Sequence, residues 1–544
     1  MRRFFAFLYL LVLSVPLLAQ STKFTHYDTL RGSLTHYRNY DVYFYDLNLT
    51  VNPKKRSISG SNIIYFTTTH TTDTIQVDLF KNLIIDSIIF QKNQLSYTRD
   101  SNATFVKFTK PLPSGQKTSL KVYYHGKPTA AVQPPWQGGF VWEKDTLGRP
   151  WIGVACEGLG ASVWWPCKDH LSDEPDSMRM TFTVPSALMC VSNGNLLNTT
   201  KANANETSYE WFVHYPINTY DVTFNAAHYA HFSDTMMQGN GKPLDLDYYV
   251  LDYNKDKAEV HFKKQVKPIL HCYEKLFGPY PFQKDGYALA ETHYWGMEHQ
   301  SCIAYGNNYN SEIFGIDYII MHETAHEWWG NSVSTKDHAE LWIHESFATY
   351  SEPLLLECMH GYDEALKYLL FVKRNIQNKE PIEGPLNVNY NGWKDSDMYY
   401  KGAWMLHTLR NVINDDKLWF EIIYGLATHF RISLVSSNDI IGYINSKTNK
   451  DFTTFFNEYL RYPNPPVFYY ELKKGKGNNY TLKYKWKANT VDFNMPIVIY
   501  TDSTKSVRLS PTAQFQSFSF TSEAIQHFRA ATELFYVTAE TPNK

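Results

Sequence analysis

Met321-His322-Glu323-Thr324-Ala325-His326-Glu327-Trp328-Trp329-Gly330 is the stretch on which the reading of this chain turns. If it is helical, His322 and His326 stand one turn apart and about 40° from eclipsed, so both rings leave the same face. Two neutral imidazoles at that spacing can grip one Zn²⁺, and Glu323 is then held beside the metal, able to take a proton from an attacking water. The bland alternative is a surface helix that carries two histidines by accident. With 20 histidines in 544 residues, a chance His-Glu-x-x-His arises about 0.04 times in such a chain, for Glu at about 5%. The apolar neighbours Ile319, Ile320, Trp328 and Trp329 also argue for a partly buried helix. Accident is the weaker reading.

A catalytic zinc takes three protein ligands and keeps one position open. The candidates for the third are His338, His344, Glu340, Glu345 and Glu352, on or beside a second helical stretch at residues 339–359. Spacing alone does not choose among them.

Around this centre the pattern changes twice. From Tyr40 to Phe232 short alternating runs dominate, as in Tyr40-Asp41-Val42-Tyr43-Phe44-Tyr45-Asp46-Leu47 and Ser57-Ile58-Ser59-Gly60-Ser61-Asn62-Ile63-Ile64, which predicts an antiparallel β domain. Near Ala258 the spacing turns helical, with Val260, Phe262, Val266, Ile269 and Leu270 on one stripe, and stays so to Leu460. After Pro463-Asn464-Pro465-Pro466 alternation returns, as in Tyr480-Thr481-Leu482-Lys483-Tyr484. The chain therefore reads as a multidomain α+β protein: an N-terminal β domain at 21–250, a mainly α domain at 251–462 and a C-terminal β domain at 463–544. A chain of 544 residues is too long for one core, which agrees with several domains. Composition is ordinary, with 43% hydrophobic and 19% charged residues. A net charge of −2 offers no basic field for nucleic acid, so no polyanionic partner is expected.

The motifs resemble those of the gluzincin aminopeptidases, the family of aminopeptidase N and leukotriene hydrolase. The usual text there is HExxHxWFGN, then eighteen residues between the second His and a Glu set in WLNEGFATY. This chain reads HETAHEWWGN and WIHESFATY with the same gap. The departures, Trp329, His344 and Ser346, spare every ligand. The resemblance implies one zinc per chain, held by His322, His326 and Glu345, with Glu323 as general base. It implies three further roles. Glu298, in Trp295-Gly296-Met297-Glu298-His299, matches the glutamate that binds the substrate's free α-amine, although Trp295 stands where Gly is usual and would reshape the first side-chain pocket. Tyr399, in Met398-Tyr399-Tyr400-Lys401-Gly402, matches the tyrosine that donates to the tetrahedral oxyanion. Sequence physics does not separate it from Tyr400. Glu157, ahead of Trp164-Trp165-Pro166-Cys167-Lys168-Asp169, resembles a second amine anchor. By the same resemblance the N-terminal domain is a saddle, the middle domain is thermolysin-like and introduced by Tyr273 to Pro281, and the tail is β-sandwich-like. The implied substrates are peptides with a free N-terminus.

Two expectations concern the compartment. Arg2 and Arg3 precede an apolar run from Phe4 to Leu18, with Ala19-Gln20 as a cleavage point. That run is shorter than the roughly 20 residues of a spanning helix, so residues 1–20 read as a signal peptide. The mature protein is then periplasmic or secreted, with no membrane span. Six cysteines form no C-x-x-C pair and no disulfide framework. An oxidising compartment allows one bridge, for which Cys156 with Cys167 is the candidate.

Overall fold

The computed structural model describes residues 24–542, so the expected signal segment lies outside the described residues. Strand Tyr40–Asn52 runs through the centre of an eight-stranded sheet, and its sequence shows why. Tyr40 and Val42 are buried, then the parity switches and Tyr45, Leu47, Leu49 and Val51 are buried. The switch falls on a bulge between Val42 and Phe44, where one extra residue flips the inward face. The sheet is antiparallel except where Tyr40–Asn52 pairs in parallel with Ser177–Pro185. That parallel pair departs from the antiparallel expectation. Its partners are far apart in sequence, and alternation alone carries no direction. A three-stranded and a four-stranded sheet complete the N-terminal half around one apolar core.

The second half begins earlier than residue 251. Strands Tyr229–Met237 and Pro243–Leu251 join Tyr287–Glu291, Ile303–Tyr305 and Gly296–Met297 in one five-stranded sheet. Their inward residues pack against helix Lys255–Phe277 through Phe262, Val266, Ile269 and Leu270. Val260, counted on that stripe, faces solvent instead. Gly296–Met297 is the edge of this sheet and pairs only with Ile303–Tyr305. Beyond it stand helices Tyr318–His326, Trp342–His360 and Asp397–Ile413, followed by three more from Asp416 to Arg461.

Two small sheets form the C-terminal β unit, built on Val467–Lys474 with Asn479–Lys487 and on Ile497–Tyr500 with Ser506–Leu509. Trp486, Ile497 and Phe468 lie in the same continuous core as Trp404 and Trp419 of the helical half. No helix among the described residues is long and apolar enough to cross a membrane.

The disulfide joins Cys272 to Cys358, tying helix Lys255–Phe277 to helix Trp342–His360. This corrects the Cys156–Cys167 pairing, since both of those thiols are free and buried. The bonded partners stand 86 positions apart in sequence and meet where the two helices pack.

Candidate active site

Helix Tyr318–His326 is held at its start by Asp317, whose carboxylate accepts from the Ile319 and Ile320 backbone N–H groups. Every residue from Ile319 to His326 is buried. His322 and His326 leave the same face, as the spacing requires. Each ring is fixed through its Nδ1–H. That of His322 donates to Glu352 Oε1 at 2.8 Å, and that of His326 donates to the Trp329 carbonyl at 2.8 Å. Gly330, at φ +126°, turns the chain there, and a β-carbon on it would sit 3.2 Å from His326 Nδ1.

With both Nδ1 atoms donating, the two Nε2 atoms present bare lone pairs only 3.3 Å apart. Glu345 Oε2 lies 3.7 Å from one and 3.5 Å from the other. It is buried and has no hydrogen-bond partner among the described residues. Three acceptors thus converge with no donor between them, an arrangement that is costly unless a cation joins them. Two imidazoles and one carboxylate suit zinc, and the site fits the metal that the motifs imply. Burial alone would lower both imidazoles, but Glu345, with Glu352 at His322, outweighs it and raises them. The same rings hold the Glu345 carboxyl below its ordinary range despite burial.

Of the other third-ligand candidates, Glu340, His344 and Glu352 are engaged elsewhere. Glu340 accepts from the Ser437 backbone N–H, and His344 Nε2 accepts from that of Thr335. His338 lines the cavity beside the cluster, with its Nε2 unpartnered. Glu352 serves His322, and its second oxygen accepts from Tyr368. Tyr368 was not singled out from sequence, and a lone tyrosine on a following helix gives no signal.

Glu323 points into the same cavity, about 450 Å³ in volume. Burial pushes its carboxyl up to about 7, against the pull of His322 and His326. Its Oε1 lies against the backbone of Gly296, where a β-carbon would meet it at 2.4 Å. Gly296 therefore sets the position of the carboxylate. Replacing Gly296 with Ala should displace Glu323 by about an ångström and lower kcat by about 10²-fold. Metal content and unfolding midpoint should stay near those of the parent. A variant with unaltered kcat would remove this role for the glycine.

Glu345 also belongs to a second cluster, in which carboxylate oxygens of Glu157, Glu298 and Glu345 lie within 4.8 Å of one another. Glu298 Oε1 accepts from Tyr220, and Glu157 Oε1 is unpartnered. Burial raises the Glu157 carboxyl, with Glu298 and Glu345 adding to it. Burial likewise raises Glu298, against the pull of His326. A cluster of this kind attracts a second cation.

Tyr399 and Tyr400 both line the cavity from helix Asp397–Ile413. Burial raises the Tyr399 hydroxyl, and the neighbours that add to this are Glu345 and Glu157. Those beside Tyr400 are Glu352 and His322. The Tyr399 ring stacks beside that of His322 at 6.3 Å and 29°, and the Tyr400 ring stands 6.4 Å from that of Tyr399. This helix reaches the site because Gly402 lets it press on Ser346, whose Oγ would be 1.8 Å from a β-carbon there.

The description "Peptidase family M1 domain" matches residues 261–459, and "Peptidase M1 N-terminal domain" matches residues 39–220. Aminopeptidase N of Lactobacillus helveticus is 22% identical over 475 residues, which is 79% of this chain and 52% of that protein. A probable aminopeptidase 1 of Sulfurisphaera tokodaii is 24% identical over 39% of this chain and 29% of its own length. The chain spans about half the length of these relatives or less. In structure it resembles an M1 zinc metallopeptidase of Deinococcus radiodurans bound to a Tyr-Ser-Ala substrate. The TM-score is 0.65 at 20% identity, over 78% of this chain and 94% of the other. It also resembles Legionella pneumophila aminopeptidase A in complex with aspartic acid, with a TM-score of 0.78 at 17% identity, over 93% of this chain and 60% of the other. At such identities the likeness is one of fold, and it extends over the N-terminal β, helical and C-terminal β parts alike. With both M1 domains present in order and an HExxH-x18-E cluster assembled within the second, the chain belongs to peptidase family M1.

Proposed function

We propose that this protein is a zinc-dependent aminopeptidase that hydrolyses the first peptide bond of peptides with a free N-terminus. One observation carries the reading: two carboxylates, half-buried Glu157 and buried Glu298, stand beside a three-residue metal-ligand set. The ligand set alone would suit any zinc hydrolase. The added pair matches a substrate ammonium at a fixed distance from the metal, and so defines which bond is reached.

His322, His326 and Glu345 would hold one zinc per chain. When bound, the metal supplies Lewis acidity, polarising the scissile carbonyl and bringing the pKa of water from ~15.7 toward ~7. Glu323 takes the proton of the attacking water and returns it to the leaving amine. Tyr399 donates to the oxygen on which negative charge develops. Glu298 and Glu157 fix the ammonium, and Glu352 keeps His322 in the tautomer that presents Nε2. The first test is hydrolysis of aminoacyl fluorogenic amides by purified protein, with zinc measured alongside. About one zinc per chain is expected, and a chelator should remove both metal and activity. Full activity after metal removal would sink the zinc assignment.

Replacing Tyr399 with Phe should lower kcat by about 10², as expected for loss of one oxyanion donor, with KM little changed. The matching change at Tyr400 should cost far less. The reverse ranking would move the role to Tyr400.

Export by the segment at residues 1–20, to the periplasm or medium, belongs to this proposal. The Cys272–Cys358 disulfide supports an oxidising compartment.

A further inference from the structure

Four aromatic rings run outward from the metal ligands in a continuous line. The His322 ring stacks on Tyr318 at 5.6 Å and 16°, and Tyr318 stacks on Trp295 at 5.2 Å and 23°. Trp136 then stands 6.3 Å from Trp295, tilted by 47°. The last two rings come from different halves of the molecule, and they open toward the cavity as a wedge. They are also far more exposed than aromatic side chains usually are, 64% for Trp136 and 43% for Trp295.

Both walls of the wedge are held in place. Trp295 Nε1–H donates to Asn307 Oδ1 at 3.2 Å, and Asn307 donates to Asp317, the cap of the histidine helix. Trp136 sits in a loop closed on itself by backbone bonds between Gln137 and both Val132 and Gln133. Two large apolar rings left wet at the rim of a polar cavity are surface awaiting a partner.

The edge strand says which part of a peptide reaches them. Glu298 marks the amine and Gly296 backs the Glu323 that acts at the cleaved bond, so the order 298, 296, 295 follows a substrate from its N-terminus past that bond. Trp295 comes next along that line, in the bend that enters the two-residue strand Gly296–Met297. It therefore lies on the leaving side, rather than over the first side chain.

Resting on the aminopeptidase reading above, we propose that Trp136, Trp295 and Tyr318 form a clamp for the side chain that follows the cleaved bond, and that it selects peptides with an aromatic residue there. An aromatic side chain laid against the exposed surfaces of Trp136 and Trp295 buries apolar area on both, while Tyr318, stacked between Trp295 and His322, backs them.

The test uses the zinc-loaded protein carrying Glu323→Gln, so that binding is read without turnover. Calorimetry compares Ala-Phe-Ala with Ala-Gly-Ala. The Phe peptide should bind about tenfold tighter or more. Adding Trp136→Ala or Trp295→Gly should remove most of that ratio, whereas Trp136→Phe should keep it. In the Glu323-intact protein, kcat/KM for the two peptides should show the same preference and the same losses. Equal affinities in the parent, or a preference that survives both tryptophan replacements, would overturn the clamp. A parent that binds with the stated preference but cleaves neither peptide would leave the clamp standing and sink the aminopeptidase reading. Binding of neither peptide would sink both.

Discussion

Replacing Glu323 with Gln is expected to leave a folded, metal-bearing protein whose turnover has fallen by about 10⁴-fold, the upper range for loss of a positioned general base. The substitution keeps shape and volume, which matters because Glu323 Oε1 lies against the backbone of Gly296. It removes only the ability to accept a proton. The ligands are untouched, since Glu323 lies outside the convergent set of His322, His326 and Glu345. Zinc content and unfolding midpoint should therefore match the parent, and KM should move far less than kcat. The measurement is kcat on the best aminoacyl amide together with metal content of the same preparation. Turnover within about tenfold of the parent would deny Glu323 its role, because a base that contributes so little is not the group that moves the proton.

The legibility of this site in the sequence follows from geometry. His322 and His326 could be read because a helix fixes what four residues of spacing mean. Glu345 and Glu352 could not be told apart by spacing, for they are seven residues, about two turns, apart on one helix and face the same way. One converges with the bare Nε2 atoms, and the other accepts from the outer nitrogen of His322. Only the eighteen-residue gap of the family motif favoured Glu345. Tyr399 and Tyr400 posed the same problem at a spacing of one. There both side chains line the same cavity, and it is the Tyr399 ring that stacks beside His322.

The fold was legible where it is local. The β, α, β order and the stripe through Phe262, Val266 and Ile269 rest on periodicity within one element. What depends on contacts distant in sequence was not legible. Alternation in Tyr229–Met237 looks like alternation in Tyr40–Asn52, yet the two strands belong to different sheets. Trp295 was visible only as a departure from a usual glycine. Its partner Trp136 comes from a loop of the other half, and no pattern announces that meeting.

The second large effect decides whether the protein is an exopeptidase. Glu298 is buried, accepts a hydrogen bond from Tyr220 and stands with Glu157 and Glu345 in one anionic cluster. A divalent cation among the ligands offsets Glu345 but leaves the other two carboxylates with no positive partner. A substrate ammonium supplies it. Truncating one member of such a buried pair costs about 2–5 kcal/mol. Replacing Glu298 with Ala should therefore lower kcat/KM for free-amine peptides by about 10²–10³-fold. Zinc should stay bound, because Glu298 is not among the three converging ligand atoms. The parent should ignore N-acetylated forms of its best peptides, since an amide carries no charge to offset the cluster and adds bulk where the ammonium sits. In the variant that discrimination should shrink, because part of the charge that enforced it is gone and the truncated side chain leaves space. Kinetic constants for one peptide in free and acetylated form, measured on both proteins, give the four numbers needed. Efficient cleavage of the acetylated peptide by the parent would mean that the carboxylates do not select the chain end. An unchanged ratio in the variant would mean that Glu298 is not the residue that does.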